Sequence, residues 1–372
     1  YIGSNLGFLS FTTEVYQQED WRLARPVLLV SAGALSEKID ALATIPREVW
    51  AETLFEDTER MRDVLTQMRI AMEQTFITAG HHAALGRALS YVSPAAVISE
   101  QLGGVDFYRF LRDLLDHFDE RADALCDTLR GLRDRIFTSS GTIASFTGSD
   151  EDYRRYWEAA GTLGLEPRTA RAKELFVPMP EPQREAFIIP SDVCYLGKAT
   201  DPRVLGLATD GSWGAANALS YGFLWNEIRV KGGAYGCGFR AIPDRQLSFY
   251  TYRDPAIDPS IERIARSGAW LRGLDADRET FEGFIVSTVA GQDAPVKPYA
   301  LTKRRNGEYF SGRPAGWREQ LRADMLATTP ERLRELGDAV ELVAEQAPAC
   351  VFGGRGIIEA SDADWNVVDL LA

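Results

Sequence analysis

The sequence predicts an α+β fold made of two similar units, each with an antiparallel or mixed sheet packed against long helices. Three observations support this fold class. Strand-like segments open each half of the chain, long amphipathic helices follow them, and both halves end in the same order of elements. The length of 372 residues also favours two domains, because a single domain usually holds about 100 to 200 residues.

The first half begins with two strands and then becomes helical. Residues 7–13 alternate between apolar and polar side chains, which predicts a half-buried strand, and the apolar run over 26–31 predicts a buried one. Apolar residues then recur at helical spacing over 36–78 and again over 106–136. The remaining predicted elements of this half are a strand over 143–148 and a short acidic helix from Asp150.

A stretch rich in proline and charge separates the two halves. It contains Pro167, Pro178, Pro180 and Pro182, which is typical of an interdomain linker. The predicted boundaries are 1–165 for the first unit, 166–184 for the linker and 185–372 for the second unit. The elements predicted for the second unit are strands over 186–190 and 193–196, a helix over 213–228, an antiparallel pair of strands over 235–241 and 247–252, and further long helices.

The ends of the two halves match in pattern. Residues 107–115 correspond to 317–325, and each run leads through an amphipathic helix into a last strand, over 143–148 and 349–354. We therefore expect the two units to be an internal duplication.

Composition excludes several classes of function. The formal net charge of −13 repels a phosphate backbone, which argues against nucleic-acid binding and favours a cationic or neutral partner. No apolar run reaches about 18 residues, so the sequence predicts no membrane-spanning helix.

The cysteines indicate a reducing environment. Cys126, Cys194, Cys237 and Cys350 lie far apart and form no CxxC pair, so we expect free thiols in the cytoplasm or another reducing compartment. The chain opens at Tyr1 directly into a strand-like segment without a secretory signal pattern, and we expect it to be a fragment.

The three histidines do not predict a metal site. His81 and His82 are adjacent, so on a helix they point about 100° apart, unlike the i, i+4 pairs that bind zinc. They follow Ala79–Gly80, where a helix is expected to break and restart. His117 begins an HxxER sequence, in which an arginine stands where an inverted zinc motif needs its second histidine. No GxSxG motif indicates a serine nucleophile either.

The most informative segment is a helix end that runs through a double glycine into a strand, over residues 224–239. Gly232 and Gly233 permit positive φ and leave the backbone open to close approach. A nucleotide loop is excluded, because no helix begins after the GxG of Gly236 and Gly238. Two interpretations stay open on spacing alone: a ligand site, or a structural turn with a solvated Arg229 and a packed Tyr235.

This segment resembles a known family. Residues 229–236, Arg-Val-Lys-Gly-Gly-Ala-Tyr-Gly, and residues 248–255, Ser-Phe-Tyr-Thr-Tyr-Arg-Asp-Pro, are similar to the carboxyl-half signature of the pitrilysin/insulinase metallopeptidases, in particular the presequence proteases. Further similarity lies at 2–8, 79–81 and 91–94, so the resemblance covers most of the chain.

The resemblance implies a clamshell of four homologous metallohydrolase-like units around a peptide chamber, with this chain as units three and four. It also implies that an amino-terminal half carries the zinc and that this chain binds none. By the same resemblance, Arg229 and Tyr235 are the catalytic residues that contact an unfolded peptide beside the scissile bond. The substrate-binding residues expected nearby are Gly232, Gly233, Phe239, Tyr250 and Tyr252, although core packing is an alternative for the aromatic ones. The alternative function is a non-catalytic relative that serves as a binding or assembly subunit.

Overall fold

The computed structural model describes residues 1–165, 167, 176–242 and 245–372. It confirms the α+β class, with a two-stranded antiparallel sheet near the start of the chain and a six-stranded mixed sheet in the second half. Residues 166 and 168–175 of the predicted linker lie outside the described residues. None of the helices in the described ranges is both long and apolar enough to cross a bilayer.

The first half consists of a β-hairpin followed by helices. Strands β1 (Phe8–Gln17) and β2 (Ala24–Gly33) pair antiparallel, with Phe8 opposite Gly33. The helices are α1 (Ile2–Asn5), α2 (Ile39–Glu52), α3 (Thr58–Ser90), α4 (Pro94–Gly103), α5 (Val105–Asp116), α6 (Phe118–Ile136) and α7 (Asp150–Ala160), with a 3₁₀ turn at Ser36–Lys38.

One strand prediction for this half is wrong, and another is right in position but wrong in burial. The segment over 26–31 lies in β2, but it is exposed or half-buried, because a two-stranded sheet offers it little cover. Residues 143–148 form no strand. Instead, the Ser145 hydroxyl donates to Asn306 at 3.0 Å and Thr147 contacts Thr302, so side-chain bonds to a helix replace a backbone ladder.

The second half carries the larger sheet. Its strands are β3 (Glu185–Ile188), β4 (Cys194–Thr200), β5 (Gly236–Ile242), β6 (Gln246–Tyr252), β7 (Ala349–Gly353) and β8 (Asn366–Asp369), in the order β5-β6-β4-β7-β3-β8. Strand β3 runs parallel to β7 and β8, and the other pairs are antiparallel. The α-helices are α8 (Asp258–Ala265), α9 (Ser267–Arg272), α10 (Arg278–Asp293), α11 (Pro298–Phe310), α12 (Trp317–Ala327), α13 (Pro330–Gln346) and α14 (Arg355–Glu359). Short 3₁₀ segments occupy Pro202–Leu205 and Gly211–Asn217, and a π-helix occupies Ser220–Val230.

Helices from both halves cover this sheet. Buried side chains of α13 pack on one face, with Val340 and Leu196 in a common core. Helix α3 of the first half packs on the other face, where Phe76 joins Tyr195 and Phe352. A Cβ atom on Gly197 of β4 would lie 2.7 Å from the backbone of Ala84. Glycine at this position therefore lets α3 lie directly against the central strand.

Helix α3 is kinked at the predicted break. Ala79 has non-helical angles (φ −140°, ψ 34°), and tyrosines from the sheet bind the carbonyl groups beside it. The Tyr195 hydroxyl donates to the oxygen of Ile77 at 2.7 Å, and the Tyr252 hydroxyl donates to that of Thr78 at 3.2 Å. The kink thus attaches the first half to β4 and β6 through hydrogen bonds to its freed carbonyls.

A buried charge cluster also joins the two halves. The Arg87 guanidinium on α3 donates to Oε1 of Glu185 on β3 at 3.1 Å and to Asp106 on α5 at 3.0 Å. The Tyr91 hydroxyl donates to the same Glu185. Glu100 on α4 lies 3.6 Å from Arg87 and is 4% exposed. Burial raises the pKa of Glu100 to about 7, and Arg87 only partly opposes this shift.

We expect Glu100→Gln to stabilise the fold at neutral and alkaline pH. A carboxyl group whose pKa rises from 4.5 to about 7 on folding reduces stability as the pH rises through that window, because the folded state holds its proton more tightly. Glutamine imitates the protonated acid and can still accept the Val105 N–H. At about pH 8 the free energy of unfolding of the variant, measured with urea, should exceed that of the parent by on the order of 2 kcal/mol. This gain should vanish near pH 4.5. Glu345→Gln, at an exposed site, is the control, and an equal gain at both pH values would contradict the assignment.

Candidate functional site

The segment before the double glycine is a 3₁₀ stretch followed by a π-helix, where the sequence predicts one regular helix. The Lys231 N–H donates to the Asn226 oxygen at 3.0 Å, five residues back. One side of this wider helix carries three residues spaced four apart, Tyr221, Trp225 and Arg229, whose side chains lie one against the next. The rings of Tyr221 and Trp225 are 5.5 Å apart, and the Arg229 Cζ lies 4.0 Å from the Trp225 ring centroid. Such π-helical segments are frequent at functional sites.

The chain's own turn explains the double glycine. Gly233 has a φ of +87°, which a residue with a Cβ rarely adopts, and its N–H donates to the Arg229 oxygen at 2.9 Å. A Cβ on Gly232 would lie 2.3 Å from the carbonyl oxygen of Ile228 and 2.6 Å from Arg263. A side chain at position 232 would therefore clash with neighbouring groups of the same chain, whereas Gly232 itself is half-buried.

Arg229 and Tyr235 lie together at the surface. Tyr235 is 66% exposed, which contradicts the alternative in which it packs inside. The Arg229 Cζ lies 5.5 Å from the Tyr235 ring centroid, so the guanidinium sits against two aromatic rings. Among the described residues Arg229 makes no side-chain hydrogen bond or ion pair. Its N–H donors are thus held in place and open to a ligand.

Tyrosines of β6 extend this surface towards the kink of α3. The Tyr235 and Tyr252 rings meet edge to face at 5.8 Å, and Tyr252 meets His81 at 4.9 Å. Tyr250 lies 5.7 Å from His81, and its ring covers Gly238, where a Cβ would come within 2.9 Å of it. Burial, together with His82, lowers the pKa of His81 to about 4. The first half therefore adds a neutral imidazole to the aromatic surface.

Phe239 is not part of this surface. It is 3% exposed and packs against Phe249 at 4.8 Å and Trp213 at 6.4 Å. The expectation that it binds substrate is therefore wrong, because alternation along β5 turns it into the core. Its backbone is also covered: the Phe239 N–H donates to the Ser220 hydroxyl at 3.0 Å, and the Ala241 N–H donates to Asn217 at 3.3 Å. These side chains occupy the free edge of β5, so a peptide cannot add there as a strand.

The histidines do not offer a zinc site. The ring centroids of His81 and His82 lie 3.9 Å apart, and the ring planes are tilted by 36°. The His117 Nδ1 is bonded to the Asp113 carbonyl at 2.9 Å. No group of three His, Cys, Asp or Glu that could hold a metal occurs in the described ranges. All four cysteines are buried free thiols.

A cavity lies elsewhere, between β1, α3 and α4. It has a volume of about 660 Å³, and His82, Glu100 and Arg245 are among the residues lining it. None of the predicted site residues lines this cavity. The Arg229–Tyr235 surface is thus separate from this cavity.

Sequence reasoning missed Tyr221, Trp225 and His81 as members of this surface. The four-residue spacing before Arg229 was a usable signal for the two aromatic residues. His81 carried no such signal, because only the packing of α3 on the sheet brings it there.

Comparison with known families identifies both halves. The associated domain of peptidase family M16, subfamily C, matches residues 1–114, and the "PreP C-terminal domain" matches residues 184–352. Presequence protease 1, chloroplastic/mitochondrial, from Arabidopsis thaliana is 27% identical over 340 residues, which is 90% of this chain and 31% of that protein. Protein HypA from Clostridium perfringens is 24% identical over 344 residues, 92% of this chain and 35% of that protein. The chain thus spans about a third of the length of these relatives.

Solved structures show the same fold. Pitrilysin superimposes with a TM-score of 0.60 at 16% identity, over 98% of this chain and 38% of its own. The "peptidase M16 inactive domain" from Pseudomonas fluorescens gives a TM-score of 0.58 at 14% identity, over 93% of this chain and 81% of its own.

Proposed function

Because this chain belongs to the pitrilysin/insulinase family of metallopeptidases and matches the carboxyl-terminal part of presequence proteases, we propose that it is the peptide-binding half of a zinc endopeptidase. In this proposal Arg229 and Tyr235 hold the carbonyl group of the peptide bond that is cleaved. The proposal assigns the zinc to an amino-terminal half, and no group of three possible metal ligands occurs among the described residues of this chain.

One observation carries the proposal: two strong hydrogen-bond donors lie side by side at the surface, and neither has a hydrogen-bond partner among the described residues. The Arg229 guanidinium is fixed by Trp225 and Tyr235, so little side-chain freedom is lost when a ligand binds. A tetrahedral intermediate of peptide hydrolysis gathers negative charge on one oxygen. Preorganised phenol and guanidinium groups stabilise that charge without reorganisation.

The neighbouring residues supply the remaining contacts. Gly233 is exposed at the turn, half-buried Tyr252 presents ring surface beside Tyr235, and half-buried Tyr250 lies beside His81. These groups suit an extended, unfolded peptide whose side chains rest on aromatic rings. The net charge of −13 favours cationic peptides.

Peptide binding by this chain tests the proposal directly. We expect a fluorescein-labelled, unstructured cationic peptide to bind in fluorescence anisotropy, and Arg229→Ala and Tyr235→Phe each to weaken binding by roughly tenfold, the loss of one good hydrogen bond. Tyr309→Phe is the matched control, because Tyr309 is 63% exposed against 66% for Tyr235. Equal affinity in all four proteins would contradict the proposal.

Adding a zinc-bearing amino-terminal half from a presequence protease separates the two functions considered. Hydrolysis that requires both halves supports the half-enzyme. Binding that persists without hydrolysis favours a non-catalytic binding subunit of the same family.

A further inference from the structure

Arg253 has an unusual backbone conformation next to the proposed site. It follows the last residue of β6 and has a φ of +50°. This left-handed region is strained for residues with a Cβ and is occupied more easily by glycine or asparagine. The backbone conformation alone would favour glycine or asparagine here, so it does not explain why the residue is an arginine.

Neighbouring bonds hold Arg253 in this conformation. Its carbonyl oxygen accepts the Tyr235 N–H at 3.2 Å. The next residue, Asp254, exchanges two backbone hydrogen bonds with Cys194, both 2.8 Å, and its buried carboxylate accepts the Ser260 hydroxyl at 2.7 Å. These bonds fix the backbone of Arg253 and Asp254, so Arg253 keeps its strained conformation and its carbonyl holds the backbone of Tyr235 in place. Strain of this kind concentrates at functional sites.

The Arg253 side chain is free for a ligand. It is exposed, and within the described part of the chain it makes no ion pair or hydrogen bond. Burial and Tyr252 raise the pKa of Tyr195, whereas the charge of Arg253 opposes that shift. The Arg253 carbonyl accepts the Tyr235 N–H, so the residue adjoins the Tyr235 end of the aromatic surface.

The positive charge at this end of the sheet contrasts with the acidic chain as a whole. Arg229, Arg253 and Arg263 surround the double-glycine turn, and the Arg263 Nη1 lies 2.6 Å from the position of a Cβ on Gly232. The nearby Asp254 is buried and already bonded to Ser260 and the Ala256 N–H. Glu227 pairs with Lys231 and Arg266, and Arg229 and Arg263 are half-buried. The exposed Arg253 is therefore the guanidinium of the three that is most open to an anionic group.

We propose that Arg253 is a second guanidinium contact for the bound peptide, which pairs with a carboxylate flanking the carbonyl that Arg229 and Tyr235 hold. This inference rests on the proposed peptide-binding function. Guanidinium and carboxylate groups form two parallel charge-assisted hydrogen bonds, which gives both affinity and register. The carboxylate belongs either to an acidic side chain of the peptide or to its free carboxyl terminus. Arg253 is then a specificity-determining residue within the same surface.

The test compares Arg253→Gly, Arg253→Gln and Arg253→Lys by fluorescence anisotropy with labelled peptides. The Arg253→Gly variant removes the side chain and relieves the backbone strain, so its circular dichroism and thermal unfolding should match or exceed those of the parent. We expect Gly and Gln to weaken binding of a carboxylate-bearing peptide by roughly tenfold and Lys by less, because lysine keeps the charge without the bidentate geometry. Amidating the peptide's carboxyl terminus, or replacing its single Glu by Gln, identifies which carboxylate is bound. The peptide that lacks that group should bind parent and variants alike. Arg25→Gln, at an exposed arginine of β2, is the control for net charge.

The outcomes separate this inference from the proposed function. Parent-like affinity of a folded Arg253→Gly variant for every peptide would overturn the role of Arg253, while a loss of binding in Arg229→Ala would leave the proposed function intact. Absence of peptide binding by the parent chain would overturn both.

Discussion

Arg229→Ala and Tyr235→Phe are each expected to lower kcat/KM for peptide hydrolysis by about 10²- to 10³-fold when the chain is combined with a zinc-bearing amino-terminal half. The loss should fall mainly on kcat, because in the proposed function both donors bind the oxygen whose negative charge grows in the transition state. Arg229→Lys should recover little of it, since an ammonium group cannot stack between the Trp225 and Tyr235 rings as a guanidinium does.

Steady-state kinetics with an internally quenched peptide provide the measurement. Tyr309→Phe and Arg278→Ala serve as controls, since Tyr309 matches the exposure of Tyr235 and the side chain of Arg278 is 91% exposed on a distant helix. A change in KM alone would mean that Arg229 and Tyr235 bind the substrate in the ground state without stabilising the transition state further. Unchanged kcat/KM in both variants would exclude a catalytic role.

The strands of the second half other than β8 (Asn366–Asp369) could be predicted from the sequence, because each presents a clear local pattern. Residues 235–241 were predicted as a strand, and β5 spans Gly236–Ile242. Because successive side chains of a strand point to opposite faces of the sheet, the sequence also places Phe249 on one face and Tyr250 and Tyr252 on the other. It does not show which of these faces becomes the core. Phe239 illustrates the limit: a large aromatic side chain beside a signature motif suits either a pocket or a core, and only the helices packed on that face decide.

The errors in the first half arise from tertiary context. An apolar run such as 26–31 is typical of a strand buried on both faces, but β2 has a single strand neighbour and no cover of that kind. Residues 143–148 have strand-like composition, yet no strand edge in the described part of the chain pairs with them. Backbone pairing depends on a partner that local sequence does not reveal.

In the candidate site, too, residues that belong to a local motif could be predicted, whereas residues brought in by tertiary packing could not. Arg229 and Tyr235 could be selected from sequence because motif and turn lie within a few residues of each other. The π-helical geometry that aligns Trp225 with Arg229 could not, since π- and α-helices differ in hydrogen bonding rather than in apolar periodicity. His81 reaches the surface through the contact of α3 with β4 and β6, more than a hundred residues away along the chain.

The same contact between α3 and the sheet makes Glu185 the side chain whose loss should destabilise the protein most. Glu185 is 3% exposed, and its carboxylate accepts hydrogen bonds from both Arg87 and Tyr91. Although burial opposes it, these bonds hold the pKa of Glu185 below its usual value. Glu185→Ala leaves the Arg87 guanidinium, itself 8% exposed, without its main counter-charge. We expect a loss of about 3 to 5 kcal/mol in the free energy of unfolding, measured by urea denaturation at neutral pH.

Most of that loss should come from leaving the buried Arg87 charge unpaired, and little of it from losing the net stabilisation that the ion pair provides. Taking two charges out of water costs nearly as much as their attraction returns, so the pair contributes little net stability, whereas a single buried guanidinium carries the whole desolvation cost. The double variant Arg87→Met/Glu185→Leu should therefore be more stable than Glu185→Leu alone. In the cycle with Arg87→Met and Glu185→Leu as the single variants, the coupling free energy should be opposite in sign to the single losses. Asp106 and Glu100 reduce the expected loss, because at 3.0 and 3.6 Å from Arg87 they can take over part of its pairing. A loss below about 1 kcal/mol for Glu185→Ala would mean that they do so almost completely, and that the attachment of α3 to the sheet relies on its apolar contacts and on the tyrosine bonds at the kink.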